Sequence, residues 1–193
     1  MDVQYLLNHK FKVDFYAKGA IIYAPGAKPK AVYFIKSGEV RMATVNDDGK
    51  EFIQGIFKAG QYFGEPALLV NRPYLAYTIA TRDSEIIPVL KTDFIRLLET
   101  EKEFSMELIQ NLSHRLFYKS MMLEELANEQ SEHRICTLIS YLFKDQLPGA
   151  VLNHTRQQLA DMSGLRVETV IRLIKKLSGQ KEWKLMRGKI VKL

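Results

Sequence analysis

The chain has 193 residues, 47% of them hydrophobic, and a net charge of +6, which suits one ordinary globular domain or two small ones. No apolar run approaches the length needed to cross a bilayer, and the start, MDVQYLLNHKFKVDF, lacks a signal-peptide segment, so a cytoplasmic location without a membrane partner is expected. The single cysteine, Cys136, excludes an internal disulfide and cannot hold an iron–sulfur cluster alone; a buried structural thiol is expected. Charge is unevenly spread. Residues 154–193 hold ten Lys or Arg against three Asp or Glu, and the remainder holds 18 against 19, a balance of +7 against −1. A polyanion-binding surface is therefore expected in the C-terminal segment.

From about Lys18 to Leu90, short β-rich runs alternate with Gly, Pro and Asn-Asp-Gly signals. Residues 31–36 and 39–45 are the clearest pair, turned at Ser37-Gly38, with Val40, Met42 and Thr44 alternating before Asn46-Asp47-Asp48-Gly49. Asp48-Gly49 is a hairpin signal. Residues 51–57 read as another strand, Ala59-Gly60 turns the chain into 61–80, and 85–90 reads as the last strand, with Pro88 marking an edge or an end. So many close turns predict an antiparallel barrel or jelly roll.

Helices follow. Thr92 or Asp93 is placed to cap a short helix through Leu98. A long helix is expected over 103–128, where Ile109, Leu112, Leu116, Leu123 and Leu126 approximate an a/d seam interrupted by Lys119. That spacing suits one amphipathic helix or a helix paired with a copy of itself. Residues 127–131, ANEQS, are polar and weakly helical, and 133–143 forms the next helix with Ile135, Leu138, Ile139 and Leu142 toward its core. Pro148-Gly149 ends that unit, and Val151-Leu152 is expected beside strands 184–186 and 189–192 in a small winged sheet. Its tip, Arg187-Gly188-Lys189, fits phosphate contacts or a plain solvated hairpin.

The most informative stretch is 154–177, HTRQQLADMSGLRVETVIRLIKKL, which reads as two short helices joined by a tight turn. The first runs over 156–163 with Thr155 as N-cap and Gln158 as its capping-box partner, and Gly164 supplies the positive φ of the turn. The second starts near Val167. On it Val170, Leu173, Ile174 and Leu177 form a core stripe, while Glu168, Ile171, Arg172 and Lys175 lie opposite. Glu168 and Arg172 are one turn apart, either a surface ion pair or a pair reaching into a DNA major groove.

The motif TRQQLADMSGLRVETVIRLIKKL resembles the recognition motif of the Crp-Fnr family of bacterial transcription regulators. The resemblance implies that the E-T-x-x-x-R pattern, here Glu168 to Arg172, reads a shared TGA core in each half-site. Thr155, Arg156, Gln157, Arg166 and Val167 join the expected DNA-binding set, with Thr169, Ile171, Lys175, Arg187 and Lys189. Val167 stands where the Fnr branch has valine, which favours a TTGA-type half-site. The run YFIKSGEVRM, DDGKE, AGQYFGEPALL resembles the family's cyclic-nucleotide-binding jelly roll. The implied fold class is α+β: an N-terminal antiparallel β jelly roll, a long dimerisation helix and a C-terminal winged helix-turn-helix. Expected boundaries are 1–100 for the effector domain, 101–130 for helix and hinge, and 131–193 for the DNA-binding domain.

Phe63, Gly64 and Glu65 match the start of the family's phosphate-binding cassette, in which Glu meets a ribose hydroxyl and a later Arg-Ser pair holds the cyclic phosphate. Here Tyr74 and Leu75 stand at the Arg-Ser positions, Arg72 is the nearby cation, and the intervening loop is one residue short. Lys119 and Ser120 fall where cAMP receptors place an adenine-contacting hydroxyl pair, and only Ser120 matches. An unpaired cyclic phosphate would be costly to bury. The expected effector is therefore something other than cAMP, or none, and Gly64 and Glu65 also suit a purely structural role. The resemblance implies a homodimer, double-stranded DNA and RNA polymerase as partners. The segment before the roll is short, so a sensing element carried there by family members is expected to be absent. The competing class is a sensory module docking a protein partner. His9, His114, His133 and His154 show no ligand spacing, so no metal or other cofactor is identified, and with no catalytic constellation in the sequence an enzyme is not expected.

Overall fold

A computed structural model describes residues 3–46, 49, 51–127 and 130–193. Two compact units emerge, Met1–Asn111 and Leu112–Leu193. The first contains α1 (Val3–Asn8), β1 (Asp14–Tyr16), β2 (Ile21–Tyr23), β3 (Ala31–Ser37), β4 (Glu39–Val45), β5 (Glu51–Lys58), β6 (Tyr62–Phe63), α2 (Glu65–Leu69), β7 (Tyr77–Ala80), β8 (Ser84–Leu90), α3 (Lys91–Thr100) and the start of α4 (Lys102–Ala127).

Two four-stranded antiparallel sheets form the roll, in the orders β1-β8-β3-β6 and β2-β7-β4-β5. The segments read as the clearest pair do not pair with each other. β3 pairs with β8 and β6, and β4 with β5 and β7, so Ser37-Gly38 is a corner between sheets. Glu85–Leu90 is likewise no edge, because β8 lies between β1 and β3. β1 begins only opposite Ile86, however, which leaves that flank of Pro88 without a partner strand and suits a residue with no N–H to give.

β3 departs from simple alternation because both of its faces are covered: Ala31, Val32, Phe34 and Ile35 are all buried. Ile35 faces the roll interior with Tyr23, Val40, Phe63, Tyr74 and Ile86. On the other face Phe34 meets Tyr62 and Phe104, at ring separations of 5.1 and 6.0 Å, and Phe104 meets Phe94 edge-on. The helix α3 begins one residue earlier than Thr92, capped by the extended backbone of Leu90 without a side-chain bond, and Asp93 instead accepts from Arg96 at 2.8 Å. On α4, Ile109, Leu116 and Leu123 are exposed, as are Met106 and Phe117; the side chain of Leu126 lies outside the described residues.

The second unit continues α4 and adds α5 (Ser131–Phe143), α6 (Arg156–Ser163), α7 (Val167–Leu177), β9 (Trp183–Met186) and β10 (Lys189–Lys192). Its core comprises Ile135, Leu138, Ile139 and Phe143 from α5, Leu159 from α6, the α7 stripe, and Trp183 and Ile190 from the hairpin. Leu142 is only half-buried, its place in the core being taken by Phe143. Val151 bridges to Val191, adding the expected third segment beside β9 and β10. Cys136 is free and half-buried, less enclosed than expected.

Gly38 carries the corner of the roll at φ 96°, and a Cβ there would lie 2.1 Å from Ser84 Oγ and 2.7 Å from the Asp83 carbonyl oxygen. Gly38→Ala is expected to destabilise the roll by roughly 1–3 kcal/mol from the backbone conformation alone, with the clash added to that. Urea unfolding of the two proteins measures the difference, and equal midpoints would show that the corner relaxes without cost.

Candidate DNA interface and effector region

The turn between α6 and α7 is built from local bonds. Thr155 Oγ1 accepts from the Gln158 backbone N–H at 3.0 Å, while Gln158 Oε1 accepts from the Thr155 N–H at 2.8 Å, closing a capping box that satisfies two donors otherwise left over at a helix start. Gly164 takes φ 68° at the C-terminal end, and the Leu165 N–H reaches back to the Ala160 carbonyl. The chain thus leaves α6 sharply and enters α7 at Val167.

Helix α7 divides cleanly. Val170, Leu173, Ile174 and Leu177 are buried, and Arg166, Glu168, Ile171, Arg172 and Lys175 are exposed, with Val167 and Thr169 partly so. Among the described residues no ion pair joins Glu168 to Arg172, so the surface-pair alternative is not what the helix adopts. Lys176, just off this face, is the cation that pairs internally, with Glu132 at the start of α5.

The start of α6 is more committed. Gln157 Nε2 donates to Asp161 Oδ1 at 2.8 Å, and Arg156 Nη2 donates to the Gly188 carbonyl oxygen at 2.9 Å, at the tip of the β9–β10 hairpin. Beside that carbonyl Arg187 and Lys189 are both exposed. Arg187 and Gly188 have φ 46° and 77°, the paired positive values of a two-residue hairpin turn.

Sequence reasoning missed a second network. The buried Glu125 carboxylate, near the end of α4, accepts from His133 Nδ1 at 2.6 Å and Thr137 Oγ1 at 2.9 Å, while Arg134 donates to the Glu125 and Ser163 carbonyls. Its members come from three helices, so no spacing announces it. Asn128 and Glu129, on which the expected hinge falls, lie outside the described residues, as do Asp47 and Asp48.

In the roll, Phe63 is fully buried and stacks on Tyr33 at 5.3 Å. Gly64 opens α2 at φ 94°, close against the Ala31 carbonyl and Tyr33, and Glu65 is buried in its first turn. Tyr74 lies flat on Tyr23, 3.6 Å between centroids and 8° between planes, and donates its hydroxyl to the Ala31 carbonyl at 3.3 Å. Leu75, by contrast, is 83% exposed, and Arg72 is exposed. The apolar and phenolic side chains gathered in this interior include Tyr16, Tyr23, Tyr33, Phe57, Phe63 and Tyr74. Lys119 and Ser120 are exposed positions of α4 in the C-terminal unit. Among the described residues no group of three His, Cys, Asp or Glu is placed to hold a metal, and no helix is long and apolar enough to cross a membrane.

Two family descriptions match the chain: the cyclic nucleotide-binding domain over residues 13–101 and the Crp-like helix-turn-helix domain over 133–191. The cAMP-activated global transcriptional regulator CRP of Haemophilus influenzae is 29% identical over 184 residues, covering 92% of this chain and 82% of that protein. The cyclic AMP receptor protein of Thermus thermophilus is 26% identical over 168 residues, covering 87% and 77%. Among solved structures, a CooA mutant of Carboxydothermus hydrogenoformans superposes with a TM-score of 0.82 at 21% identity, covering 99% of this chain and 90% of that one.

Burial, reinforced by Tyr33 and Tyr23, pushes the Tyr74 hydroxyl far above the usual phenol range. Its stabilising share is therefore complete below about pH 10, the unfolded value, and is lost as pH rises beyond it, because only the unfolded chain then releases the proton. Urea unfolding at pH 8, 10 and 11 is expected to show a shallower decline for Tyr74→Phe than for the parent protein. Parallel declines would mean that Tyr74 ionises freely in the folded roll.

Proposed function

The chain belongs to the Crp-Fnr family of transcription regulators, and from that premise we propose that it binds a two-fold DNA site as a homodimer, with Glu168 and Arg172 reading a TGA-containing half-site. The observation that carries this reading is the face of α7. Glu168 and Arg172 stand one turn apart, exposed and unpaired with each other, on a helix whose other side is locked into the core. Arg172 suits bidentate contact with guanine O6 and N7, and Glu168 suits acceptance from cytosine N4. Val167 favours a TTGA-type half-site. Thr155, Gln157, Arg166, Thr169, Ile171 and Lys175 border that face, and Arg187 and Lys189 on the wing supply phosphate contacts, which fix register without carrying sequence information.

The apolar positions exposed along α4, among them Ile109, Leu116, Phe117 and Leu123, support pairing with a second copy, since a run of this kind is otherwise left in water. Residues 1–100 serve as effector domain, 101–130 as dimerisation helix and hinge, and 131–193 as DNA-binding domain. Several relatives are named for cAMP, yet the interior of this roll holds Tyr74 where an anionic ring would need a cation. The effector is accordingly something other than cAMP, or none. Control is a population shift: whatever favours one arrangement of roll and helix biases the separation of the two recognition helices toward or away from about 34 Å, one turn of DNA. RNA polymerase is the onward partner, and the site of action is the cytoplasm.

Glu168→Ala and Arg172→Ala are each expected to weaken specific binding by roughly 1–3 kcal/mol and to relax the preference at one base pair. Fluorescence anisotropy of a duplex with inverted TTGA-type half-sites, against a scrambled duplex and at two salt concentrations, measures this. Specific binding is expected to be the same with and without cAMP. Variants that keep the parent's base preference would remove Glu168 and Arg172 from the readout, and binding that appears only with cAMP would overturn the assignment of the roll.

A further inference from the structure

The β9–β10 hairpin is short, four residues in each strand, and is anchored in the core through Trp183 at its base and Ile190 one residue beyond the pair that closes the turn, Met186 and Lys189. The turn residues Arg187 and Gly188 lie beyond that anchor and are exposed, so a grip that reaches them from another element bears directly on the geometry of the tip. Arg156 is that grip. It is the first residue of α6, fixed by the Thr155–Gln158 capping box, and its guanidinium donates to the carbonyl of Gly188, 32 residues further along the chain. The side chain is half-buried, and burial pushes its ionisation down from the usual guanidinium range without threatening its charge at neutral pH. The gripped carbonyl lies between Arg187 and Lys189, the two exposed cations of the tip.

We propose that Arg156 is a positioning residue: it holds the wing tip through the Gly188 carbonyl so that Arg187 and Lys189 meet the DNA phosphates together, and it makes no phosphate contact of its own. The proposal rests on the DNA-binding reading above and differs from it in assigning Arg156 a role inside the protein. A positioning residue and a contact residue predict different behaviour in salt. Each phosphate neutralised contributes about 0.9 to the slope of log affinity against log salt. Loss of a direct contact removes one such increment whatever the wing carries. Loss of a grip removes the wing's increments, and removes nothing further once the wing cations are gone.

The test compares the full chain with Arg156→Met, which keeps the apolar stem and removes the donor, with the double variant Arg187→Gln, Lys189→Gln, and with all three changes together. Salt slopes are measured by anisotropy on the inverted TTGA-type duplex, and the Gly188 carbonyl carbon is followed by NMR in the DNA-free proteins. Arg156→Met is expected to lower the slope by about 1.8, the share of two phosphates, and the triple variant to match the double. The Gly188 signal should move in Arg156→Met while the α5 core signals stay in place. An equal loss of about 0.9 in both backgrounds would make Arg156 a direct contact and overturn the proposal. So would an unmoved Gly188 signal. If the parent protein shows no salt-steep DNA binding, the regulator reading and the phosphate role fall together, and the Gly188 signal still decides whether Arg156 holds the tip.

Discussion

The burial of one stripe of α7 is the constraint on which the C-terminal unit depends. Four aliphatic side chains, Val170, Leu173, Ile174 and Leu177, go into the core, and the helix spans only 11 residues. Sealing one side fixes the other: with the stripe held, Glu168 and Arg172 have no freedom to rotate toward the core and must face water or a partner. The stripe in turn needs α6 close by and at the right angle. Leu159 and Ala160 are buried on α6, and Gly164 makes the turn at φ 68°, a conformation that side chains with a Cβ adopt at a cost. The exposed face of α7 is therefore a product of core packing, and its precision is that of the core.

What was legible in the sequence was what is decided locally. The Thr155–Gln158 capping box, the Gly164 turn and the 3.6-residue stripe of α7 involve residues within one or two turns of each other, and each forms as its spacing predicts. What escaped was decided by distant partners. Strand alternation in β3 is hidden because helices cover its second face, so Phe34 is as buried as Ile35. Pro88 looked like an edge signal because the shortness of β1 frees one flank at that point, which only the sheet order reveals. The cap of α3 went to the backbone of Leu90 in place of Thr92 or Asp93, the latter being engaged by Arg96. Glu125 and His133 meet across eight residues, and Arg156 meets Gly188 across 32. Neither leaves a mark in composition or period.

Tyr74 shows the same division within a single residue. Its departure from an Arg-Ser pattern was visible in the sequence as the loss of a cation. What replaces the cation was not: a ring laid on Tyr23 at 3.6 Å with its hydroxyl bonded to Ala31. A phenol buried in this way has its hydrogen bond and its stacking partner already. On the proposed reading, a ligand entering there would first have to displace this packed aromatic surface.

The acidic residues of the basic segment follow a different logic from its cations. Of the three in residues 154–193, Asp161 is engaged by Gln157 inside α6, and Glu168 stands exposed on the recognition face. A carboxylate directed at DNA is repelled by the phosphates and lowers affinity for every sequence alike. It regains that loss only where a cytosine amino group meets it, and elsewhere it is desolvated without a donor. On the proposed reading Glu168 would therefore act mainly by penalising wrong sites, whereas Arg172 would act by rewarding right ones. On the same reading the surrounding cations, Arg166, Lys175, Arg187 and Lys189, would make that penalty tolerable: they would supply attraction that is blind to sequence, leaving discrimination to Glu168 and Arg172.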